Sequence, residues 1–353
     1  MSETVDATLL GACPVPLTKH ERIVLGHGSG GKLTSELIET VFLPAFRNEY
    51  LDRLDDQAVL HINGSRLAFT TDSFVVTPIF FPGGDIGRLA VNGTVNDLAM
   101  SGARPLYLSV AFILEEGLLM DDLRRVVDSM RAAAAEARVL LVTGDTKVVN
   151  RGQGDKIFIN TSGIGVVERP VRISADGAKP GDRVIVSGFI GDHGMAIFSQ
   201  RENLTFESDI VSDTAPLHDL VEGMLEVTSE IHCLRDPTRG GVATTLNEIA
   251  SKSGVGIEID ESAIPVRESV RGACEILGLD PLYVANEGKL IAVVGAEYAN
   301  AVVGKLRSMN YGADARIIGT VVADHPRMVL MKTDIGGTRV LDLLWNEQLP
   351  RIC

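Results

Sequence analysis

The sequence runs twice through a succession of strand-like and helix-like patterns, and this doubling restricts its fold more than any other feature. In the first succession, apolar strand patterns at 58–62, 67–70, 106–113, 139–143 and 156–166 enclose helical patterns at 86–100 and 121–137. The second, of the same style, covers 183–318. Between them, residues 169–182 are rich in proline and glycine, as linkers often are. The pattern predicts two α+β domains.

The chain length agrees with this division, because 353 residues exceed what one hydrophobic core usually covers. We predict a flexible N-terminal arm at 1–20, where glycine and prolines occur without a sustained period. An N-terminal domain at 21–168 and a C-terminal domain at 169–331 should follow. Residues 332–353 would form a tail whose base is held by apolar side chains at 341–345, whereas its last eight residues lack an evident anchor.

Composition excludes several classes of protein. A formal charge of −14 without a basic stretch disfavours nucleic acid as a partner. No apolar run is long enough for a membrane span, and acidic Glu3 and Asp6 do not resemble an export signal. The four cysteines, at 13, 233, 274 and 353, lack the spacing of a zinc site or a disulfide framework. We therefore expect a cytoplasmic protein.

The run GHGSGGK at 26–32 is the strongest local signal near the N-terminus. Glycines such as Gly28 and Gly30 let backbone N–H groups approach an anion, and Lys32 supplies a cation. The run also fits the dinucleotide pattern G-x-G-x-x-G and the pattern G-x-x-x-x-G-K, although Leu33 stands where a P-loop needs a hydroxyl. Three interpretations stay open: a phosphate contact outside the P-loop class, a dinucleotide site, and a plain loop.

Aspartates recur at predicted strand ends and helix starts. Each one alone is typical of a cap or a turn, because its side chain accepts from free backbone N–H groups. Together they suggest magnesium, which prefers oxygen ligands and is often bound through a few carboxylates, water and phosphates. Asn92 could add a neutral hydrogen bond. The aspartates in question are Asp55, Asp56, Asp72, Asp97, Asp145 and Asp236.

Three further motifs hold residues suited to phosphate chemistry. Lys147, in GDTKVV at 144–149, could stabilise charge that develops on a phosphate. Arg239, in DPTRGG at 236–241, could grip a phosphate or carboxylate with paired donors. Glu287, in NEGK at 286–289, is a possible base, although an isolated glutamate is more often a solvated turn residue.

The last residue, Cys353, is a thiol beside the terminal carboxylate. Its position alone is compatible with chance. The stretch from Ile335 to Cys353 would reach roughly 60 Å when fully extended, so a thiol carried there could move between an internal site and an outside partner.

These motifs occur in one order along the chain, together with a long segment at 71–105 (TDSFVVTPIFFPGGDIGRLAVNGTVNDLAMSGARP) and the terminal PRIC. From about residue 20 to 353 the chain resembles the ATP-dependent superfamily of aminoimidazole ribonucleotide synthetase, selenophosphate synthetase and thiamine-monophosphate kinase. Within it, the terminal cysteine makes the chain most similar to the hydrogenase-maturation family, HypE.

The resemblance implies a two-domain PurM-like α+β fold, with ATP and Mg²⁺ bound in the N-terminal region. It also implies a homodimer whose N-terminal domains pair through a β-sheet or barrel interface. In such a family, a carbamoyltransferase (HypF) loads a carbamoyl group onto the terminal thiol. ATP-dependent dehydration then yields a thiocyanate, and its cyanide passes through a HypC–HypD scaffold to the iron of [NiFe]-hydrogenase.

The resemblance also assigns roles to residues. It implies that Cys353 carries the substrate, that Glu287 is the base, and that Lys147 stabilises the amide oxygen or transfers phosphate. The implied metal ligands are Asp56, Asp72, Asp97 and Asp236, and the implied nucleotide contacts are Gly28, Gly30, Lys32, Asn92, Asp145 and Arg239. Which of Asp55 and Asp56 faces the metal stays open, because adjacent residues of an extended segment point to opposite sides.

Two alternatives to this function remain. The chain could be a synthetase or kinase of the same superfamily that acts on a diffusible small molecule, which would leave Cys353 incidental. It could also be a scaffold that binds nucleotide only as a switch for assembling its partners.

Overall fold

The computed structural model describes residues 22–28, 30–204, 210–344, 349 and 351–353. The predicted N-terminal arm lies outside these residues. In the first half, a short 3₁₀ turn at Leu25–Gly28 precedes two short helices joined by a π-helical stretch at Ile38–Phe42. The elements of this half are α1 (Lys32–Leu37), α2 (Leu43–Phe46), β1 (Ala58–Ile62), β2 (Ser65–Phe74), β3 (Phe80–Phe81), β4 (Gly84–Asp85), α3 (Ile86–Ala99), β5 (Arg104–Glu115), α4 (Met120–Glu136), β6 (Leu140–Val149) and β7 (Ile157–Val166).

The second half is richer in helices. Its elements are β8 (Arg183–Val186), α5 (Asp192–Arg201), α6 (His218–Val227), β9 (Ile231–Arg235), α7 (Gly241–Ser253), β10 (Gly256–Asp260), α8 (Glu268–Leu277), β11 (Ile291–Val294), α9 (Ala299–Arg307), β12 (Arg316–Val322), β13 (Val329–Lys332) and β14 (Thr338–Leu341). The predicted α+β class is confirmed. Among the helices in the described part of the chain, none is long and apolar enough to cross a membrane.

Two large sheets contain most of these strands, and β3 and β4 form a separate two-stranded sheet. The first has the order β1-β2-β7-β5-β6, in which β5 and β6 are parallel and joined through α4. The second has the order β14-β13-β10-β12-β8-β11-β9. Within the described residues of one chain the first sheet stays open, with β1 and β6 as its two edges. A barrel at this sheet would therefore need a second chain.

Helix α3 connects the two halves. Its start is fixed by Asp85, whose carboxylate accepts from the backbone N–H groups of Gly87 and Arg88 at 2.7 and 3.1 Å. Nearly all of its side chains are buried, because the first sheet covers one side and residues of the second half cover the other. Two polar residues of α3, Asn92 and Asn96, hydrogen-bond to Thr214 and Leu217 and so lie between the two halves.

Apolar packing is continuous across the halves. One hydrophobic cluster joins Phe74 and Ile86 of the first half to Met195 and Cys274 of the second. The segment that we predicted as tail contributes β14 to the second sheet, where Val340 pairs with Leu330. The chain therefore leaves this sheet only after Leu341. The predicted division at residues 168 and 169 stays a prediction.

Candidate active site

The four aspartates that the resemblance assigned to a metal come from separate elements. Asp56 precedes β1, Asp72 lies on β2, Asp97 lies on α3, and Asp236 directly follows β9. Burial, and then the charges of Asp236, Asp72 and Asp56, raise the pKa of Asp97 well above its ordinary value. The structure therefore gathers all four carboxyl groups into one region, which we call the carboxylate cluster (Asp56, Asp72, Asp97 and Asp236).

The structure separates Asp55 from Asp56. The Asp55 carboxylate accepts from Ser174 Oγ at 3.0 and 3.1 Å and from the backbone N–H of Ala175 at 3.0 Å, so it has a structural role. Asp56 points the other way and lies 3.2 Å from Arg235 Nη2. This is the alternation expected of adjacent residues in an extended segment. Asp56 is thus the one that faces the cluster.

The other members are held by neighbours on both halves. Asp97 Oδ2 accepts from Thr70 Oγ1 at 2.9 Å. Asp72 points toward α3, because a Cβ added at Gly93 would lie 3.8 Å from Asp72 Oδ2. Burial raises the pKa of Asp236 to about 6, although Arg235 opposes the change. Ionisation of these carboxyl groups is therefore less favourable in the folded chain than in water, and the neighbouring Arg235 offsets this only in part.

This arrangement fits a bound cation. Asp56 Oδ2 is buried without a hydrogen-bond partner, and burial raises the pKa values of all four aspartates. Repulsion from neighbouring carboxylates adds to this rise at Asp56, Asp97 and Asp236. A positive ion would relieve both conditions. In the described part of the chain, no group of three or more His, Cys, Asp or Glu side chains is placed to hold a metal ion. Mg²⁺ commonly takes water and phosphate oxygens beside one or two carboxylates, so it would not require three protein ligands here.

Glu287 lies beside the cluster and is buried, so the interpretation as a solvated turn residue is wrong. Burial, followed by the charges of Asp236, Asp72 and Asp213, raises the pKa of Glu287 well above its usual value. Its Oε1 is buried without a hydrogen-bond partner. Its backbone is fixed by Asp213 Oδ1, which accepts from Glu287 N at 3.0 Å. A buried carboxyl with a raised pKa is suited to accept or donate a proton near neutral pH.

Arg239 joins this region to the glycine-rich run. Arg239 Nη1 donates to the carbonyl of Gly28 at 2.7 Å, and a Cβ added at Gly30 would lie 3.1 Å from the Arg239 side chain. Arg239 also opposes the rise in the pKa of Asp72, so its guanidinium lies near that carboxylate. The structure therefore brings Gly28, Gly30 and Arg239 together with the carboxylate cluster.

The glycine-rich run follows neither of the two motifs that its sequence fits. Its first residues form part of a 3₁₀ turn at Leu25–Gly28, and no strand leads into it at the described residues 22–24, so the strand-loop-helix unit of dinucleotide sites and P-loops is absent from the described residues around it. Lys32 Nζ lies 2.7 Å from Asp342 Oδ2, and Lys32 N donates to the carbonyl of Leu344 at 2.9 Å. Lys32 thus contacts the base of the C-terminal segment in this structure.

Asn92 lies at the contact between the halves. Its Nδ2 donates to Thr214 Oγ1 at 3.2 Å, whereas its Oδ1 is buried without a hydrogen-bond partner. Nearby on α3, Asn96 Oδ1 accepts from Leu217 N at 2.8 Å. These amides tie α3 to the second half, and Asn92 keeps one acceptor available.

Lys147 and Asp145 are not brought to the cluster within one chain. They form an exposed ion pair at 2.8 Å on the edge strand β6, and hydrogen bonding to Lys147 lowers the pKa of Asp145. Lys147 pairs with Ile113, which pairs with Phe158, so all three lie on the same face of the sheet. Asp72 lies opposite Thr161, whose hydroxyl is buried against α3. Lys147 and Asp72 thus occupy opposite faces, and the roles assigned to Lys147 and Asp145 stay predictions.

The end of the chain is docked, which corrects the expectation that its last residues lack an anchor. Val75 N donates to the carbonyl of Cys353 at 3.0 Å, and Thr77 N donates to the carbonyl of Arg351 at 3.2 Å. The side chains of Leu349 and Ile352 are buried, and Cys353 is half-buried. This pairing begins just after β2, so the last peptide units lie beside the end of the strand that carries Asp72.

Two residues that contribute to this region were missed in the sequence. Asp213 holds the Glu287 backbone and lies 3.0 Å from Lys289 Nζ, and His193 contacts the docked tail. Asp213 sits in a Ser-Asp-Thr run like the other aspartates, so the same criterion could have found it. His193 follows Gly191-Asp192 at an ordinary helix start, and nothing in the sequence indicated its burial.

Comparison with known proteins decides the family. Two family profiles match: the N-terminal domain of AIR synthase related proteins at residues 54–167 and their C-terminal domain at residues 179–330. The carbamoyl dehydratase HypE of Azotobacter vinelandii is 59% identical over 327 residues, which are 93% of this chain and 96% of that protein. The chain belongs to the HypE family.

Solved structures of this family have the same fold. A crystal structure of a HypE-HypF complex matches with a TM-score of 0.84 and 52% identity, over 87% of this chain and 99% of that one. A HypE structure in complex with ATP matches with a TM-score of 0.80 and 55% identity, over 94% of this chain and 100% of that one. The predicted HypE resemblance and PurM-like fold are confirmed.

Proposed function

We propose that the protein is an ATP-dependent carbamoyl dehydratase that acts on a carbamoyl group carried by its own Cys353. The observation that carries this proposal is the docked C-terminus. The carbonyls of Cys353 and Arg351 accept from Val75 N and Thr77 N, so the last peptide units lie just beyond the end of β2, the strand that carries Asp72. Relatives named carbamoyl dehydratase HypE support the same reaction.

The reaction balances as follows. The amide oxygen of the thiocarboxamide attacks the γ-phosphate of ATP, and ADP leaves. Loss of the two N–H protons and cleavage of the C–O bond then give the thiocyanate and inorganic phosphate; one proton ends on the phosphate and the other passes to solvent. Phosphorylation is needed because an amide oxygen is a poor leaving group. We assign one of these proton transfers to Glu287, whose buried carboxyl has a free oxygen and a raised pKa.

We also propose how the nucleotide is held. Gly28, Gly30, Lys32 and Arg239 would contact phosphate groups, and Asn92 would offer its free Oδ1 as an acceptor. Mg²⁺, bound by Asp56, Asp72, Asp97 and Asp236, would neutralise phosphate charge. Arg239 contacts Gly28 and lies near Asp72, so it can orient a phosphate between the glycine-rich run and the carboxylate cluster.

The uncovered face of the first sheet supports a homodimer. Phe69, Ile164, Tyr107 and Leu140 lie side by side across four strands, and each is at least 41% exposed. A row of large apolar side chains in water is typical of an interface. Lys147 lies on this same face, so we propose that it acts across the interface, on the second protomer.

The partners follow from the family. We propose that HypF supplies the carbamoyl group, and the solved HypE-HypF complex of a similar protein supports this step. We further propose that the cyanide passes to a HypC–HypD scaffold for the iron of [NiFe]-hydrogenase. No disulfide joins the described cysteines Cys233, Cys274 and Cys353, which suits action in the reducing cytoplasm.

Intact-mass spectrometry tests the reaction. Protein that HypF has carbamoylated should lose one water molecule per chain when Mg²⁺ and ATP are added, with one ADP formed. Cys353→Ser should abolish both the carbamoylation and the loss of water, whereas Cys274→Ser, at a buried cysteine, should change neither. Carbamoylated protein that forms ADP without losing water, or a Cys353→Ser protein that still loses it, would contradict the proposal.

A further inference from the structure

His193 is a buried histidine that no step of the proposed reaction uses. It is the second residue of α5, and its side chain is fully buried. Its Nε2 lies 2.6 Å from the carbonyl oxygen of Ile352, and its Nδ1 lies 2.7 Å from Ser212 Oγ. The ring meets Phe81 edge-on, with centroids 5.6 Å apart, so its plane is fixed as well.

The two contacts determine where the ring proton lies. A carbonyl oxygen can only accept, so Nε2 must carry the hydrogen and donate it to Ile352. Burial lowers the pKa of His193, although Asp213 opposes this, so the ring is neutral and Nδ1 is an acceptor. The Ser212 hydroxyl therefore donates to Nδ1, while its oxygen accepts from Thr214 N at 3.2 Å. The hydrogen bonds run in one direction, from Thr214 through Ser212 and His193 to Ile352.

The end point of this chain of hydrogen bonds is the last peptide unit before the thiol. The Ile352 carbonyl belongs to the peptide bond of Cys353, so holding it fixes the backbone from which the Sγ atom projects. Farther back, Arg201 Nη2 donates to the carbonyl of Arg351 at 2.7 Å. Arg201 and His193 lie on the same helix, and both bind carbonyls. They therefore recognise the tail through its backbone.

We propose that His193 is a positioning residue that holds the C-terminal tail in the cleft through its Nε2–H and the Ile352 carbonyl, with Ser212 fixing its tautomer. The consequence for catalysis rests on the proposed function, since it requires that Cys353 carries the substrate. The docking itself does not, because it depends only on contacts within the chain. Without this donor the Ile352 carbonyl is buried and unpaired, which favours release of the tail.

The expected effect follows from the loss of one buried hydrogen bond. Replacing His193 by leucine should lower the ratio of docked to released tail by about tenfold, equivalent to about 1.4 kcal/mol. The backbone amides of Val75 and Thr77 report this ratio directly, since they donate to Cys353 and Arg351. The rate of hydrogen exchange at these two amides, measured by mass spectrometry on the full-length variant, should rise by up to tenfold.

The experiment compares four variants with a protein truncated before Arg351. In the truncated protein the amides at 75 and 77 have no tail to bind, so their exchange rate sets the limit for full release. His193→Leu should approach that limit, and Ser212→Ala should lie between it and the unsubstituted protein. His193→Gln, which keeps an N–H group, should restore most of the protection. His218→Leu, at a buried histidine that contacts Arg138, serves as the matched control and should leave exchange at 75 and 77 unchanged.

Several outcomes would overturn the proposal. One is a folded His193→Leu protein that keeps the protection at 75 and 77, and another is a His193→Gln protein that loses as much as His193→Leu. If His193→Leu does not fold, Ser212→Ala decides, and exchange equal to that of the unsubstituted protein overturns the assignment. The exchange assay uses neither ATP nor a carbamoyl group, so its result is independent of the dehydration test.

If both the docking role of His193 and the proposed dehydration hold, single-turnover loss of water should slow in His193→Leu and recover in His193→Gln.

Discussion

Replacing Asp236 by asparagine should stabilise the protein while removing part of its cation site. Burial raises the pKa of Asp236 from 3.8 to about 6, so ionising this carboxyl costs more in the folded chain than in the unfolded chain. A difference of about 2 pKa units corresponds to about 3 kcal/mol. Asn keeps the shape without the charge, so it should recover most of that free energy at neutral pH.

The sign of the pH dependence follows from the raised pKa. Below the unfolded value of 3.8, Asp236 is protonated in both states, and the variant should gain nothing. The gain should grow as pH rises toward about 6 and be complete by pH 7. For a chain of this length, about 3 kcal/mol corresponds to an increase in Tm of about 4 °C.

Differential scanning calorimetry between pH 4 and pH 8 measures this change, with the exposed Asp324→Asn as the control of equal charge change. Added Mg²⁺ and ATP should stabilise the unsubstituted protein, by about 2.7 kcal/mol at one hundred times the dissociation constant, and should stabilise Asp236→Asn less. An Asp236→Asn protein with an unchanged or lower Tm at pH 7.5 would refute the account of the cluster as an uncompensated group of charges.

Three further substitutions address the base, the sheet face and the packing beneath Glu287. Glu287→Gln should slow dehydration by about 10²- to 10⁴-fold with ATP binding retained, since only the proton acceptor is lost, and intact mass with ATP titration calorimetry checks it. Leu140→Asp should convert the proposed dimer to monomer in analytical ultracentrifugation, because it places a charge in an apolar row. Gly288→Ala should lower the free energy of unfolding by about 1–3 kcal/mol in urea titrations, because its Cβ would overlap the Asp213 carbonyl. Ile276→Asp, on exposed α8, and Gly272→Ala, where a Cβ meets open space, are the matched controls. Glu287→Gln with full turnover, a Leu140→Asp dimer as tight as the original, or an undisturbed Gly288→Ala protein would each contradict its premise.

Much of the fold followed from periodicity. The predicted strand at 58–62 has the bounds that the structure gives to β1, and the predicted helix at 121–137 differs from α4 by one residue at each end. The strands β9, β13 and β14 were missed. Each is only four or five residues long, and a short apolar run does not distinguish a strand from a loop that crosses a core. Pairing partners can also be distant in sequence, as for Val329 of β13, which pairs with Ile257 of β10.

The candidate site was predictable in its residue types and only partly in its geometry. The sequence pointed to Asp56, Asp97 and Glu287, and the structure buries them together. It could not separate Lys147 from the cluster, because the face that a strand residue takes depends on which neighbours cover the sheet. Nor could it reveal that the tail docks, since that depends on Val75 and Thr77 having free backbone N–H groups at the right place.

By itself, the sequence determined the chemical groups and the order of the elements. The aspartates, Glu287, the glycine-rich run and Cys353 are read directly from the sequence, and the family and its reaction were implied by the resemblance that these motifs carry. Only the tertiary structure decided which groups meet. The raised pKa of Glu287, the separation of Asp55 from Asp56 and the contact of His193 with Ile352 each arise from desolvation and hydrogen bonds between segments far apart in the chain. Those interactions depend on distance in space, which the spacing of residues along the chain does not specify.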